Sequence, residues 1–192
     1  MRNAASLTVM VFCACLIVFA PSCSYIRRVT APAGQEHKVI DDTAKQAQAN
    51  IALGDYNKAL ELYSKAYDKY HYPGMSSGYA RIGDRIRNSA DTAYQKKDFS
   101  EAGNIYNTLF ESGITTRDFS QALSFDDDYL NGQMKACSKA LLEAGLTSYR
   151  EGKLEDAIAV WKKALVFDRD NMDIKNMIDT ATTQLQNLKN IK

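Results

Sequence analysis

Few side chains in this sequence are of the types that do acid–base, nucleophilic or metal chemistry. The 192 residues include only two histidines, His37 and His71. Neither has a Cys, Asp or Glu at the spacing a metal site needs. Asp126-Asp127-Asp128 is the one dense acidic cluster. Three carboxylates together suggest calcium, but a calcium loop alternates its acidic ligands and turns on a glycine, and this run does neither. It reads instead as a helix start, where a carboxylate caps free N–H groups and offsets the helix dipole. No nucleophile elbow, phosphate-binding loop or zinc signature is present. The expectation is therefore a non-enzyme with no cofactor, no metal and no small-molecule substrate. Lys and Arg total 24 against 23 Asp and Glu, a balance that gives no reason to expect nucleic acid.

The rest of the chain is built to place helices. Past residue 40, Val and Ile are sparse and Ala, Leu, Lys, Glu, Gln and Tyr dominate, a helix-forming composition. Apolar residues recur at three- and four-residue steps, the mark of a helix with one buried face. One stripe is Ile40, Ala44, Ala47, Ile51 and Leu53. A second, in residues 77–96, is Tyr79, Ile82, Ile86, Ala90, Ala93 and Tyr94. A third, in residues 127–151, is Leu130, Met134, Cys137, Leu141, Leu142, Gly145 and Tyr149. The last runs through Ile174, Met177, Ile178, Ala181, Leu185 and Leu188.

Three segments follow one template: 54–66 (GDYNKALELYSKA), 97–109 (KDFSEAGNIYNTL) and 152–164 (GKLEDAIAVWKKA). Each has a turn residue and, two on, a large apolar residue (Tyr56, Phe99, Leu154). Three further comes Ala (Ala59, Ala102, Ala157), and four further an aromatic (Tyr63, Tyr106, Trp161). A small residue stands seven before each turn: Ala47, Ala90 and Gly145. The small residues let paired helices approach, and the aromatics lie on the same face one turn later.

This pattern resembles the tetratricopeptide repeat. The resemblance implies an all-α domain over residues 39–192, a short solenoid of about three antiparallel hairpins at 39–72, 77–112 and 127–168, with a capping helix at 171–190. The family's period is 34 residues. Here the turns at Gly54, Lys97 and Gly152 are 43 and 55 residues apart, and residues 112–126 read as an insertion. The resemblance also implies a partner groove on the first helix of each hairpin. Carried over residue by residue, it holds Gln48; then Arg87, Asp91 and Tyr94; then Lys139, Leu142, Tyr149 and Arg150. A solvated helix face is the alternative reading of these residues. Tyr67, Tyr70 and Tyr72 gather at the end of the first hairpin and fall outside that groove.

The N-terminus reads as an export signal: Arg2, an apolar run from Leu7 to Phe19, and then Ala20-Pro21-Ser22-Cys23. The last four residues resemble a bacterial lipoprotein signal. The resemblance implies removal of residues 1–22, acylation (palmitate type) of Cys23, and a flexible tether over 23–38. A conventionally cleaved signal and an uncleaved anchor, the latter suggested by Arg27-Arg28, are the alternatives. Ser24 rather than Asp after the acylated cysteine implies the outer membrane, periplasmic face, over the inner membrane. Cys13 and Cys15 would be removed and Cys23 blocked, which leaves Cys137 alone as a small core residue. The function expected from the two resemblances is a non-catalytic protein–protein interaction adaptor or scaffold in the cell envelope, binding a protein or peptide segment. The alternative is a structural, self-assembling subunit of an envelope complex of the secretin, pilus or barrel-assembly type.

Overall fold

Seven helices carry the fold in the computed structural model, which describes residues 33–190. They are α1 (Ala33–Ala52), α2 (Tyr56–Tyr70), α3 (Pro73–Gln95), α4 (Phe99–Glu111), α5 (Asp127–Arg150), α6 (Leu154–Ala164) and α7 (Met172–Asn190). No strand occurs among the described residues, so the expected all-α class is what the chain adopts. Each helix packs on its neighbours in sequence, and α1 also reaches α3. Residues 1–22, read above as an export signal, and Cys23 lie outside the described residues.

Three of the joints share one backbone geometry. After α1, Gly54 takes φ 76°; after α5, Gly152 takes φ 76°; after α3, Lys97 takes φ 63°. The hydrogen bonds match as well. Gly54, Lys97 and Gly152 donate to the carbonyls of Ile51, Tyr94 and Tyr149 at 3.0, 2.9 and 3.0 Å. The next residues, Asp55, Asp98 and Lys153, donate to Asn50, Ala93 and Ser148 at 2.9, 2.9 and 3.0 Å. These paired bonds are the Schellman termination, which requires a left-handed residue. Asp55 and Asp98 then cap the following helix, accepting from the N–H groups of Lys58 and Glu101. Lys97 occupies the glycine position with a β-carbon, which the left-handed region disfavours. Lys97→Gly is therefore expected to raise stability by about 0.5–1 kcal/mol, checked by the shift of the urea midpoint.

The alanines and aromatics of the sequence template meet in the core. Ala59, Ala102 and Ala157 are fully buried, as are Tyr63, Tyr106 and Trp161 to within one per cent. Gly145 sits directly under the Trp161 indole, whose N–H donates to the Leu142 carbonyl at 3.0 Å. Phe167 covers Gly103 in the same way. Cys137 is buried, and burial pushes its thiol up to about 12. A thiolate, not a thiol, attacks alkylating reagents, so native Cys137 is expected to resist iodoacetamide at pH 8 and to react at the rate of unfolding. The unfolded thiol ionises near its ordinary value and the folded one only near 12, so this group's contribution to stability is lost as pH rises through that window.

Several expectations need correction. Residues 33–38, assigned to the tether, form the first turns of α1. Helix α3 starts at Pro73 rather than near residue 77, because proline's fixed φ and missing N–H suit the first helical position. Leu53 is on the exposed Schellman turn instead of the buried stripe, and Met177 and Leu188 are exposed on α7.

The insertion at 112–126 is a strap built of two short 3-10 turns, Ile114–Thr116 and Ser120–Ala122. It packs back across α2 and α3. Ile114, Leu123 and Phe125 crowd Gly83, where a β-carbon would stand 2.7 Å from the Ile114 methyl. Phe119 packs on Tyr67 and Tyr79, with ring centroids 5.3 and 5.1 Å apart. Arg117 pairs with Asp68 at 2.8 Å and donates to Ser64 at 2.7 Å, and the Tyr67 hydroxyl donates to Asp118 at 2.6 Å.

Candidate partner-binding surface

Of the eight residues assigned to a groove, two are drawn into one internal cluster. Arg87 and Asp91 stand one turn apart on α3 and pair at 2.5 Å, each about one-fifth exposed. Asp91 also accepts hydrogen bonds from the Tyr106 hydroxyl of α4 at 2.6 Å and the Tyr129 hydroxyl of α5 at 2.8 Å. Arg87 donates its other terminal nitrogen to Ser124 of the strap at 3.0 Å, and Ser124 in turn bonds Asp84. A carboxylate that accepts three donors is held in one orientation, and the donors from α4 and α5 fix those helices to α3. Tyr106 and Tyr129 resist ionisation, first because they are buried and then because ionisation would set a phenolate against Asp91. The cluster ties three helices and the strap together. Its carboxylate faces partners of its own chain.

Tyr94 is half-buried at the end of α3, edge-on to Phe99 with centroids 5.3 Å apart. Gln48 on α1 and Lys139 on α5 are exposed. Leu142 is half-buried, and its carbonyl receives the Trp161 N–H. Tyr149 lies against Trp161, centroids 6.0 Å apart, and its hydroxyl donates to Gln184 of α7 at 2.8 Å. Arg150, next in sequence, is exposed. Tyr149 thus forms one wall of a shallow cleft of about 600 Å³ whose remaining lining comes from α7: Asp179, Thr180, Thr183, Gln184 and Asn187. Lys139, Leu142, Tyr149 and Arg150 all belong to α5, so four of the eight residues share one helix, and of these Tyr149 lines the cleft.

Tyr129, Ser124 and Gln184 were missing from the sequence-based set. Nothing local marks them: Ser124 lies in a stretch without periodicity, and Gln184 is one of several polar residues on α7. The run of three Asp pointed to a cap, and Asp126 does cap α5, accepting from the Tyr129 N–H at 2.8 Å. Asp127 meanwhile accepts from Thr115 of the strap. Among the described residues no cluster of three or more His, Cys, Asp or Glu side chains is arranged to hold a metal ion. Among the same residues no helix is long and apolar enough to cross a membrane. Comparison with known proteins finds no family that matches this chain and no curated protein with significant similarity to it.

Proposed function

We propose that this protein is a non-catalytic protein–protein interaction adaptor, a short tetratricopeptide-like stack tied to the bacterial cell envelope by a lipid on Cys23 and facing the periplasm. The observation that carries the reading is the recurrence of one joint. Gly54, Lys97 and Gly152 share the same left-handed turn and hydrogen bonds, and each is followed at equal offsets by a buried alanine and a buried aromatic. Repeated helical hairpins present an extended surface from several similar elements, a geometry suited to a protein segment. The engaged Arg87–Asp91 pair turns attention to α5, which carries Lys139, Leu142, Tyr149 and Arg150 and whose Tyr149 lines the open cleft at α7.

The test places a photo-crosslinking residue at Tyr149 or Arg150 in native membranes. Capture of a different envelope protein, lost when Leu142 is replaced by Asp, is the expected result. Capture of identical chains alone would replace the adaptor by a self-assembling subunit, a reading favoured by the exposed Met172, Met177 and Leu188 along α7. The anchor is tested separately: radiolabelled palmitate should enter the parent and not Cys23→Ala. Equal labelling of both rules out that site. Ser24 supports the outer membrane over the inner, and fractionation of the labelled protein decides between them.

A further inference from the structure

We propose that the aromatic corner between α2 and α3 is a second, non-covalent membrane contact that rests in the headgroup region of a phospholipid bilayer. The corner is made by Lys69, Tyr70, His71, Tyr72 and Pro73. Tyr70 and Tyr72 stack with centroids 5.3 Å apart, and the Lys69 ammonium lies 4.7 Å from the centre of the Tyr70 ring. Both tyrosines are half-buried, while Lys69, His71 and Pro73 are exposed. Tyrosine is favoured at the bilayer interface, with its ring among apolar groups and its hydroxyl in water, and a neighbouring lysine can lay its alkyl stem along the same boundary.

Position identifies the occupant as lipid. Helices α1 and α2 pack against each other across the three-residue Schellman turn at Leu53–Asp55. The N-terminal part of α1 therefore runs beside the end of α2, and Ile40 packs against Gly74 at the start of α3. The chain thus enters the domain next to the corner. Nine residues lie between Cys23 and Ala33, and the ten steps from one to the other span at most about 33–36 Å. A lipid on Cys23 therefore limits how far the start of α1, and the corner beside it, can stand from the bilayer, while the Schellman turns lie at the other ends of their helices and are less restrained. Acidic Glu36 and Asp41 on α1 offset Lys38 and Lys69 at this end, so attachment rests on the aromatic rings and depends little on salt. A connection this short gives a local concentration in the millimolar range, so a contact of only millimolar affinity is made about half the time.

This proposal rests on the Cys23 anchor, and its test separates the two. The acylated full chain on vesicles of phosphatidylethanolamine and phosphatidylglycerol is treated with a water-soluble amine-acylating reagent. Modification of Lys69 is read relative to exposed Lys97 at the opposite end of α3. The reference is the same ratio for the chain lacking residues 1–23, free in buffer. The expected ratio on vesicles is lower by about twofold or more, and Tyr70→Ser with Tyr72→Ser restores it. An acylated chain with an unchanged ratio overturns the membrane contact and leaves the anchor standing. A chain that takes up no palmitate at Cys23 overturns the anchor and, with that connection gone, this proposal too. Shielding of Lys69 that needs other envelope proteins in the vesicles assigns the corner to a protein and overturns it as well. The parent ratio decides the matter even if the double variant proves unstable.

Discussion

Replacing Trp161 with alanine is expected to lower folding stability by about 3–5 kcal/mol, the range for deleting a large buried aromatic. Trp161 is fully buried against α5, over Gly145 and beside Tyr149, and donates its indole N–H to the Leu142 carbonyl. A domain of this size has about 5–15 kcal/mol in total, so the variant should unfold at much lower urea, read by far-ultraviolet circular dichroism. The complementary substitution works from the other side of the contact. In Gly145→Ala the new methyl would enter the space of the indole ring, which is rigid and cannot swing away as a long side chain would. Overpacking costs about 1–3 kcal/mol, and the better helix propensity of alanine returns about 1 kcal/mol. The net loss should be smaller than for Trp161→Ala. A Trp161→Ala cost below about 1 kcal/mol would mean the third hairpin is not packed on this ring.

The second large effect is expected at Asp91. Asp91→Ala removes the acceptor of Tyr106 and Tyr129 and leaves Arg87 without its charge partner. Breaking a fully buried pair costs about 3–5 kcal/mol, and the one-fifth exposure here reduces that to about 2–3 kcal/mol. Tyr106→Phe and Tyr129→Phe each remove one donor and should cost about 1 kcal/mol. The Arg87 side chain has a further consequence. Its Nε is buried without a hydrogen-bond partner, so its orientation depends on the bonds its terminal nitrogens make to Asp91 and Ser124. A double-mutant cycle between Asp91→Ala and Arg87→Ala should show strong coupling, with the pair of changes costing less than the sum. Additive costs would mean the two side chains do not act as a unit.

The helices were legible in the sequence because each buries one face, and Ile82, Ile86 and Ala90 recur at the spacing that requires. The joints were legible because Gly54 and Gly152 mark left-handed turns. Lys97 was found only through its place in the template, since nothing in a lysine announces that conformation. The start of α1 was missed because residues 33–38 hold no apolar pair to set a period. Their helix grows backward from the packed turns at Val39 and Ile40. The strap was opaque for a different reason. Phe119 and Arg117 find partners on α2 about fifty positions away, and Phe119 meets Tyr79 of α3 about forty away, and spacing along the chain carries no trace of such contacts. The same blindness applies to the surface: Arg87 and Asp91 have the polarity of groove residues, and only the arrival of Tyr129 and Ser124 shows them engaged.

The strap also changes how the stack should come apart. Repeats that touch only their nearest neighbours unfold piecemeal, fraying from the ends. Here residues 112–126 close a loop from the end of α4 back to α2 and α3, so the first hairpin cannot open without releasing Phe119 and Arg117, and α5 is tied to the same strap through Thr115 and Asp127. The three helical hairpins are thereby bound into a single cooperative unit, and α7, which packs mainly on α6 and is held to α5 by the Tyr149–Gln184 bond, is the element least tied to the strap. The same closure sets an order on folding. The first hairpin reaches its final packing only after the chain has been made or released as far as the strap, so a protein that emerges from its N-terminus first would keep its earliest helices waiting for a segment that arrives about fifty residues later.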